Sequence, residues 1–349
     1  MRILELNFER SWRGGELQTL YEIQGFTNAG HKVTLICRAG APLAKNARQA
    51  GIHVIEKKGV LSIIPFLISS ASDFDILHCQ SSKLLTYCVL TRWLHRKPVV
   101  LNRWVTFVPK GYFSLKKYRA ANKIIAVGET VKKVLQSKQI NNVLVIRDIA
   151  VPQVLNIERA ISEIEKYKVS GKKIIATTAA MEAEKDPFTM IEAIRLLAEK
   201  RNDFIFIHFG SGSLMAAACQ KIKDHGLQDI YITAGFKEKV YDFFSLMNVF
   251  AFSSIQEGSG SSILDAFMYK VPVASTNGGG LPELVSENRG LVCEVGNAQA
   301  LAENISLLMD DNALRTRLIN NAYEYVMSNH GMVEITSQYI NEFSKLQHQ

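Results

Sequence analysis

The chain has 349 residues, which is long enough for two domains of ordinary size, each with its own core. Its hydrophobic fraction of 47% and charged fraction of 21% are typical of a soluble globular protein and exclude a disordered chain. The net charge of +8 is unevenly divided, because residues 1–160 contain 24 Lys and Arg against 10 Asp and Glu. This basic half predicts contact with an anionic partner.

The cysteines and the apolar runs favour a reducing compartment and argue against a membrane-spanning protein. The chain begins MRILELNF, which predicts a strand rather than a signal peptide. No apolar run reaches the ~20 residues that a membrane-spanning helix needs. We therefore expect a cytoplasmic protein. Five scattered cysteines lack a Cys-x-x-Cys pair or a nearby histidine pattern, which disfavours a zinc site and a disulfide framework: Cys37, Cys79, Cys88, Cys219 and Cys293.

Thirteen short apolar runs, rich in β-branched residues, alternate with helical patterns along the chain. Such alternation predicts the α/β class, with parallel sheets covered by helices on both faces. The runs of the first half are RILEL, KVTLIC, IHVIE, DILHC, PVVLN, KIIAV and VLVIR, and those of the second are KKIIATT, DFIFIHFG, DIYITA, NVFAF, VPVAS and GLVCEV.

One polar helical segment, residues 155–171, interrupts the series of strands. It places the domain boundary near residue 160, so we predict two doubly wound domains, 1–160 and 161–349, that face each other across a cleft. Ligands of such folds bind at the carboxyl ends of the strands. Apolar residues at helical spacing from Met332 to Leu346 predict a last helix that packs back across the domains.

Two features of the first half follow or precede a strand. Gly14 and Gly15 lie just after the first strand, where their backbone can approach a ligand, although the same loop could merely turn the chain. Asp73 and Asp75 have the Asp-x-Asp spacing of metal-dependent sugar transferases, but they precede a strand instead of following one. We interpret them as a polar loop, and we expect no metal site.

Three motifs of the second half lie at predicted strand ends. Lys185 precedes a proline suited to the first position of a helix, and it can neutralise a phosphate or simply be a solvated lysine. Gly210 and Gly212 follow the strand IFIHF, and the run NGGGLPE at 277–283 follows another. Neither glycine run is a complete dinucleotide fingerprint, and tight turns alone would explain both.

The stretch QEGSGSSILDAF, at 256–267, places a Gly-Ser loop between the acids Glu257 and Asp265. A helix that begins near Ser261 would bury its apolar residues and leave Asp265 off that side. The backbone N–H groups at its start could hold a diphosphate, with the two acids available to hydroxyl groups. An ordinary strand–turn–helix with solvated acids would show the same pattern.

Taken together and in order, these motifs resemble the retaining GT-B glycosyltransferases of family 4. The resemblance rests on RGGE at 13–16, GSGS at 210–213, AGF at 234–236, SSIQEGSGSSILDAF, VPVASTNGGGLPELV and GLVCEVGNAQALAENI, and it covers nearly the whole chain. It implies two Rossmann-like domains, a nucleoside diphosphate sugar bound by the second domain, and an acceptor bound against the first. It implies neither a metal ion nor another cofactor.

The resemblance also implies roles for individual residues. Lys185 would neutralise the leaving diphosphate, Glu257 would contact the hydroxyls of the donor sugar, and Asp265 would accept from the ribose. The remaining donor-binding candidates are Gly14, Gly15, Gly210, Gly212, Phe236, Lys237, Ser259, Gly260, Ser261 and Ser262. The candidates on the acceptor side are His78, Arg103 and Trp104, although a purely structural imidazole at His78 is an equal alternative.

The sequence departs from the family pattern at three positions. Asp265 stands where glutamate is usual, Ala180 stands five residues before Lys185 where arginine is usual, and Trp104 replaces a histidine after the fifth strand. A binding protein that has lost catalysis is therefore one alternative. A nicotinamide-dependent dehydrogenase is a second, which the missing fingerprint disfavours.

The basic half also predicts the acceptor. Cations alternate with aromatic residues in TRWLHRK at 91–97 and KGYFSLKKYR at 110–119. Aromatic and basic side chains suit an anionic membrane surface, so we expect a lipid-linked or lipopolysaccharide-type glycan acceptor, met at the inner face of the membrane. A soluble basic domain is the alternative. No basic module of the kind that binds nucleic acid is visible.

Overall fold

The computed structural model describes residues 1–347, and the chain forms two compact units. The first unit comprises Met1–Ile149 and Asn329–Gln349, and the second comprises Ala150–Ser328. The chain passes from the first unit to the second after Ile149, about ten residues before the boundary expected from the polar segment. The helix of that segment, α8 (Ile157–Glu165), belongs to the second unit.

The first unit is built on a parallel sheet of seven strands in the order β3-β2-β1-β4-β5-β6-β7. These strands are β1 (Arg2–Asn7), β2 (Lys32–Arg38), β3 (His53–Lys57), β4 (Ile76–Cys79), β5 (Val99–Arg103), β6 (Lys123–Ala126) and β7 (Val143–Val145). Its helices are α1 (Gly14–Asn28), α2 (Pro42–Gln49), α3 (Ile64–Ser70), α4 (Ser82–Leu90), α5 (Arg92–His95), α6 (Tyr112–Ala120) and α7 (Glu129–Gln136), with short 3₁₀ turns at Val60–Ile63 and Ala71–Asp73.

The second unit is built on a parallel sheet of six strands in the order β10-β9-β8-β11-β12-β13. These strands are β8 (Lys173–Thr178), β9 (Phe204–Phe209), β10 (Tyr231–Gly235), β11 (Val249–Phe252), β12 (Val273–Thr276) and β13 (Leu291–Cys293). Besides α8, its helices are α9 (Pro187–Ala198), α10 (Met215–Asp224), α11 (Ser261–Met268), α12 (Leu281–Val285), α13 (Ala298–Asp310) and α14 (Asn312–Asn329), with 3₁₀ turns at Ala183–Lys185 and Val240–Leu246.

The predicted doubly wound architecture is confirmed, because all thirteen apolar runs are strands and both sheets are parallel. Strands with continuous apolar sequence are buried on both faces, as β9 and β11 are along their whole length. The strand order reverses between β1 and β4 in the first sheet and between β8 and β11 in the second. Loops at the carboxyl ends of these strand pairs are where such sheets bind ligands.

The last helix, α15 (Met332–Gln347), belongs to the first unit and packs on α1. A Cβ atom at Gly25 would lie 2.1 Å from Oγ1 of Thr336, so any larger residue there would displace the threonine side chain. The predicted apolar stripe faces the core, where Ile335, Tyr339 and Phe343 are buried. Within residues 1–347, the helices are all too short or too polar to cross a membrane.

Candidate functional site

Loops at the carboxyl ends of β11 and β12 pack directly against each other through glycines. A Cβ atom at Gly278 would lie 2.1 Å from the carbonyl oxygen of Ser254, and one at Gly279 would lie 2.3 Å from that of Glu257. Gly280 donates its N–H to the carbonyl of Glu257 at 3.0 Å. The three consecutive glycines therefore fix the backbone of Glu257 at the switch point of the second sheet.

Gly210 and Gly212 make the same kind of contact with the loop after β8. A Cβ atom at Gly210 would lie 1.9 Å from the carbonyl oxygen of Ala179, and one at Gly212 would lie 2.3 Å from that of Met181. Gly210 also donates its N–H to Gly235 at 2.9 Å. Contact between neighbouring loops explains why both positions are glycine, and the N–H of Gly210 is engaged within the protein.

Lys185 and Glu257 form an ion pair beside these loops. Glu257 also accepts from the hydroxyl of Ser254 at 3.0 Å, and the Lys185 ammonium lies 5.7 Å from the centre of the Phe252 ring. Both charged side chains are largely shielded, with 23% and 12% exposure. The structure thus brings together the two residues that the family resemblance assigns to the leaving diphosphate and to the donor sugar, as the expected catalytic pair, although they are 72 positions apart.

The backbone that carries Lys185 is held by the end of β11. The hydroxyl of Ser253 donates to the carbonyls of Lys185 at 3.0 Å and Asp186 at 2.9 Å. Ile255 donates its N–H to Glu184 at 2.9 Å. Asp186 then caps α9 by accepting from the N–H of Thr189. The lysine backbone is therefore held between the end of β11 and the start of α9.

The start of α11 lies next to this ion pair along the chain. The helix begins at Ser261, as predicted, after Gly260 takes a left-handed conformation with φ of 72°. The hydroxyl of Ser262 donates to the carbonyl of Thr178 at 3.0 Å, which ties the helix start to the end of β8. N–H groups in a first helical turn have no partner within the helix, so those of Ser261 and Ser262 can bind an anion. Ser259 belongs to the loop that precedes them.

Asp265 lies one turn further along α11 and is partly buried. Its burial raises the pKa of the carboxyl from 3.8 to about 7. No described residue forms a hydrogen bond or an ion pair with this carboxyl. An acid with a pKa near neutrality and no partner can accept hydrogen bonds from the hydroxyl groups of a ligand when it ionises.

Phe236 and Lys237 follow β10 and have different environments. The ring of Phe236 is exposed, whereas the Lys237 ammonium pairs with Glu163 of α8 at 2.7 Å. Hydrogen bonding from Lys237 lowers the pKa of the Glu163 carboxyl. The ring of Phe236 is available to a ligand, and the cation of Lys237 already has a partner.

The first unit contains a separate cavity of about 360 Å³ at the carboxyl ends of β1, β4 and β5. Most of its lining residues are of polar type and lie at or just after the ends of these three strands: Asn7, Glu9, Ser11, Arg13, Gly15, Glu16, Gln80, Ser81, Ser82, Asn102, Arg103, Trp104 and Val105. The cavity therefore gathers predicted residues that are almost ninety positions apart in the sequence.

Gly14 and Gly15 open α1 at the edge of this cavity. They lie in the first unit with the acceptor-side candidates, whereas the other donor-binding candidates lie in the second. A Cβ atom at Gly15 would meet nothing within 4 Å, so packing does not require glycine there. Glu16 accepts from the backbone N–H of Arg13 at 2.9 Å, and burial raises its pKa to about 7.

Arg103 and Trp104 form the opposite wall of the cavity. The Arg103 guanidinium donates to the hydroxyl of Tyr118 at 2.8 Å and to the carbonyl of Phe107, and burial lowers its pKa. The Trp104 indole donates to Oε1 of Gln80 at 2.9 Å. Both side chains are therefore held by hydrogen bonds to their neighbours.

His78 lies behind the cavity and is completely buried. Its ring bonds Glu5 at 2.8 Å through Nδ1 and Asn102 at 2.9 Å through Nε2. Burial lowers the pKa of the imidazole, but the charge and hydrogen bond of Glu5 outweigh this effect and raise it to about 9. A buried ring with both nitrogens engaged supports the structural role that the sequence analysis kept as an equal alternative.

Glu5, Glu22 and His78 are the one group of described residues whose atoms lie close enough to share a metal ion, within 4.8 Å of one another. Their atoms already bond each other and the amides of Gln80 and Asn102. These hydrogen bonds account for the cluster without an ion. Sequence reasoning missed it, although a glutamate within the apolar strand RILELN was a signal.

Two family models match adjacent parts of the chain. Residues 12–147 match the model described as Glycosyltransferase Family 4, and residues 159–325 match the model described as Glycosyl transferases group 1. The lipopolysaccharide core biosynthesis glycosyltransferase LpsE of Rhizobium meliloti is 23% identical over 262 residues, which is 70% of this chain and 75% of that protein. The amylovoran biosynthesis glycosyltransferase AmsK of Erwinia amylovora is 30% identical over 163 residues, 42% of this chain and 40% of that protein.

Solved structures share the fold over nearly the whole chain. The Anabaena protein Alr3699/HepE, solved with UDP and glucose, superposes with a TM-score of 0.86 at 18% identity and covers 99% of this chain and 100% of that one. TarM of S. aureus superposes with a TM-score of 0.79 at 12% identity, covering 98% of this chain and 99% of that one. Together with the two family models, these similarities identify the chain as a glycosyltransferase of family 4 with the GT-B fold.

Proposed function

We propose that the enzyme transfers a sugar, with retention of anomeric configuration, from a nucleoside diphosphate sugar to a cell-surface glycan or a lipid-linked acceptor. The observation that carries this proposal is the Lys185–Glu257 ion pair beside the start of α11. A cation and free helix N–H groups suit a diphosphate, and a carboxylate suits the hydroxyl groups of a sugar. All three lie at the switch point of the second sheet, where such folds bind nucleotides.

The proposed reaction breaks the bond between the anomeric carbon and the diphosphate oxygen. Negative charge develops on the departing diphosphate, where the Lys185 ammonium and the N–H groups of Ser261 and Ser262 stabilise it. The acceptor oxygen bonds to the anomeric carbon from the same face, and its proton passes to the departing diphosphate. Glu257 orients the donor through its hydroxyl groups. No metal ion and no protein nucleophile takes part in this scheme.

A uridine diphosphate sugar is the donor that we propose, with a guanosine diphosphate sugar as the alternative. The Anabaena protein with the same fold was solved with UDP and with UDP-glucose. The exposed ring of Phe236 would stack on the base, and the partly buried Asp265 would accept from the ribose hydroxyls. Gly210 and Gly212 would shape this part of the site through the loop contacts described above. They would not bind the donor directly.

The acceptor proposal is supported by an exposed aromatic and basic surface on the first unit. Trp93 and Phe113 expose 74% and 84% of their surface, and Tyr112 is similarly exposed. They lie on α5 and α6, which are joined by a hydrogen bond from Arg92 to the carbonyl of Ala120 at 2.9 Å. Large exposed apolar side chains next to cations are suited to the headgroup region of an anionic membrane. We infer a lipid-linked acceptor that the enzyme meets at a membrane surface, as a peripheral protein.

The similarity to lipopolysaccharide and exopolysaccharide glycosyltransferases supports a role in polysaccharide biosynthesis. A catalytically weakened nucleotide-sugar binder remains the second candidate, because Ala180 offers no cation where family members usually carry an arginine. The Lys185–Glu257 pair is intact, and it favours the enzyme over the binder.

Thermal unfolding with a panel of nucleotides and nucleotide sugars tests the donor site. A ligand at a hundred times its dissociation constant adds about 2.7 kcal/mol to the free energy of unfolding, which is readily detected. We expect stabilisation by UDP that EDTA does not reverse. Stabilisation by NAD and by no nucleoside diphosphate would contradict the proposal. Slow hydrolysis of the stabilising donor, followed by proton NMR of the released anomer, then separates a retaining enzyme from a binder.

A further inference from the structure

A chain of three hydrogen bonds connects the C-terminal helix to the wall of the cavity in the first unit. The hydroxyl of Tyr339, on α15, donates to Oε1 of Glu22 at 2.9 Å. Oε2 of Glu22 accepts from the amide nitrogen of Gln80 at 2.7 Å. Oε1 of Gln80 accepts from the Trp104 indole at 2.9 Å. Tyr339 is therefore connected to Trp104 through two intermediate side chains, Glu22 on α1 and Gln80 just after β4.

The orientation of the Gln80 amide is fixed by two carboxylates. Its nitrogen donates to Glu22 and also to Oε1 of Glu5 at 2.6 Å. The indole N–H can only donate, so the amide oxygen faces the indole while the amide nitrogen faces the two carboxylates. The Trp104 ring has one N–H donor, and this oxygen determines where that donor points. The position of the indole thus depends on groups that lie behind it.

A second branch of the network joins Tyr339 to Asn102. The amide nitrogen of Asn102 donates to Glu22 at 2.7 Å and to the Tyr339 hydroxyl at 2.9 Å, while its oxygen accepts from His78. Asn102, Gln80 and Trp104 all line the cavity. The network therefore has one end in the buried core and three members at the cavity surface.

The cost of burying this network indicates that it does more than stabilise the fold. Glu5, Glu22 and His78 are buried among aromatic rings, including Phe26 and Phe343. Well-packed apolar side chains of similar volume often stabilise a core as well as buried ions do, or better. What a satisfied polar network provides is a single geometry for the groups at its surface end.

We propose that Tyr339 is a positioning residue for the acceptor cavity, acting through Glu22 and Gln80 to hold the Trp104 indole in place. The inference rests on the proposed function in one respect, which is that this cavity receives the acceptor. It predicts that removal of the Tyr339 hydroxyl makes the Trp104 indole more mobile and weakens binding of the acceptor. The donor site in the second unit should be unaffected.

Tryptophan fluorescence tests the structural part of this inference without any assumption about the reaction. The chain has three tryptophans, so replacing Trp12 and Trp93 with phenylalanine leaves Trp104 as the single emitter. In that background, Tyr339→Phe should shift the emission to the red and increase quenching by acrylamide. Tyr87→Phe is the matched control, because Tyr87 lies on α4 of the same unit, outside the network. Unchanged Trp104 emission in Tyr339→Phe would overturn the inference.

Kinetics with a panel of octyl glycosides as acceptor probes tests the functional part. Loss of one buried hydrogen bond should raise the KM for a transferring glycoside roughly fivefold. The kcat for hydrolysis of the donor by water should stay at the wild-type value. An unchanged acceptor KM in Tyr339→Phe, with active wild-type enzyme, would also overturn the inference. A wild-type enzyme that neither transfers nor hydrolyses would instead contradict the proposed function, and the fluorescence result would still decide the positioning role.

Gln80→Met tests the same connection independently, in case Tyr339→Phe folds poorly. It breaks the bond to the indole directly and leaves the α15 contacts in place. It should reproduce the red shift and the higher acceptor KM of Tyr339→Phe, both measured well below the unfolding temperature of either variant. If Tyr339→Phe melts early and Gln80→Met leaves Trp104 emission unchanged, Tyr339 has a structural role alone.

Discussion

The Lys185 ammonium and the Glu257 carboxylate neutralise each other in the described structure, within the loops of the second unit. Their pairing means that the group proposed to bind the diphosphate and the group proposed to bind the sugar are held by the same contact. The Ser254 hydroxyl also donates to Glu257, so the carboxylate keeps one partner when the lysine turns toward an anion. A donor that offers both a phosphate and hydroxyl groups can replace both halves of the pair at once.

Replacement of Lys185 by alanine should lower the rate of sugar transfer by roughly one to three orders of magnitude, the range for losing one transition-state donor. Lys185→Arg should keep part of the rate, because the charge remains although its geometry differs. Initial rates at saturating donor are the measurement. Lys200→Ala, at an exposed lysine of the same unit, is the matched control. Wild-type turnover in Lys185→Ala would rule out the assignment.

The Asp265 carboxyl should make the stability of the enzyme depend on pH. Burial raises its pKa from 3.8 to about 7, so the folded chain holds this proton over a range in which the unfolded chain has lost it. The stability that the neutral form contributes is complete below the unfolded pKa and is lost as the pH rises through the folded pKa near 7. Asp265→Asn should therefore raise the Tm at about pH 8 and leave it nearly unchanged at about pH 4. Equal Tm differences at both pH values would contradict the raised pKa.

The same carboxyl should make nucleotide binding depend on pH. An ionised carboxylate accepts hydrogen bonds from hydroxyl groups more strongly than a neutral acid, so affinity should rise from about pH 6 to about pH 8. Asp265→Asn serves as the control in the same buffers, because the phosphates of the nucleotide ionise in this range too. Asp265→Glu should retain or improve the affinity by extending the reach to the ribose, and Asp265→Ala should weaken it. Isothermal titration with UDP measures each value.

The parts of this structure that sequence could predict are those set by local pattern. All thirteen strands and the start of α11 follow from apolar runs, glycines and hydroxyl residues within about ten positions. The network behind the cavity could not be predicted, because Tyr339 and Glu22 are 317 positions apart, and Glu5 and His78 are 73 apart. No local pattern records which distant side chains meet.

The glycines show a further limit of sequence reasoning. A glycine run after a strand is compatible with a ligand contact or a tight turn, and in the structure Gly210 and Gly279 face the carbonyls of neighbouring loops. The sequence does not distinguish a glycine that is needed for contact with another part of the protein from one that is needed for contact with a ligand. Only the positions of the neighbouring loops distinguish the two uses.

Gly279→Ala should therefore destabilise the second unit and disturb Glu257. Gly279 has φ of 61° and a Cβ atom there would lie 2.3 Å from the carbonyl oxygen of Glu257. Gly296 is the matched control, since it has φ of 79° with nothing within 4 Å. Gly296→Ala should cost about 1 kcal/mol from the left-handed backbone alone. Gly279→Ala should lower the Tm further and reduce donor affinity, and equal effects of the two variants would exclude the loop contact as the reason for glycine.

The exposed aromatic residues of the first unit should bind the enzyme to anionic vesicles. Replacing Trp93 and Phe113 with serine should reduce cosedimentation with vesicles that contain phosphatidylglycerol, because both rings are exposed beside cations such as Arg96 and Lys116. Binding of the unaltered enzyme should weaken from 0.05 M to about 0.5 M salt, since screening shortens the reach of the cations. Val154→Ser is the control, because Val154 is exposed to 97% in the second unit. Binding that survives both the serine pair and high salt would exclude this surface as the membrane contact and leave the acceptor to be met in solution.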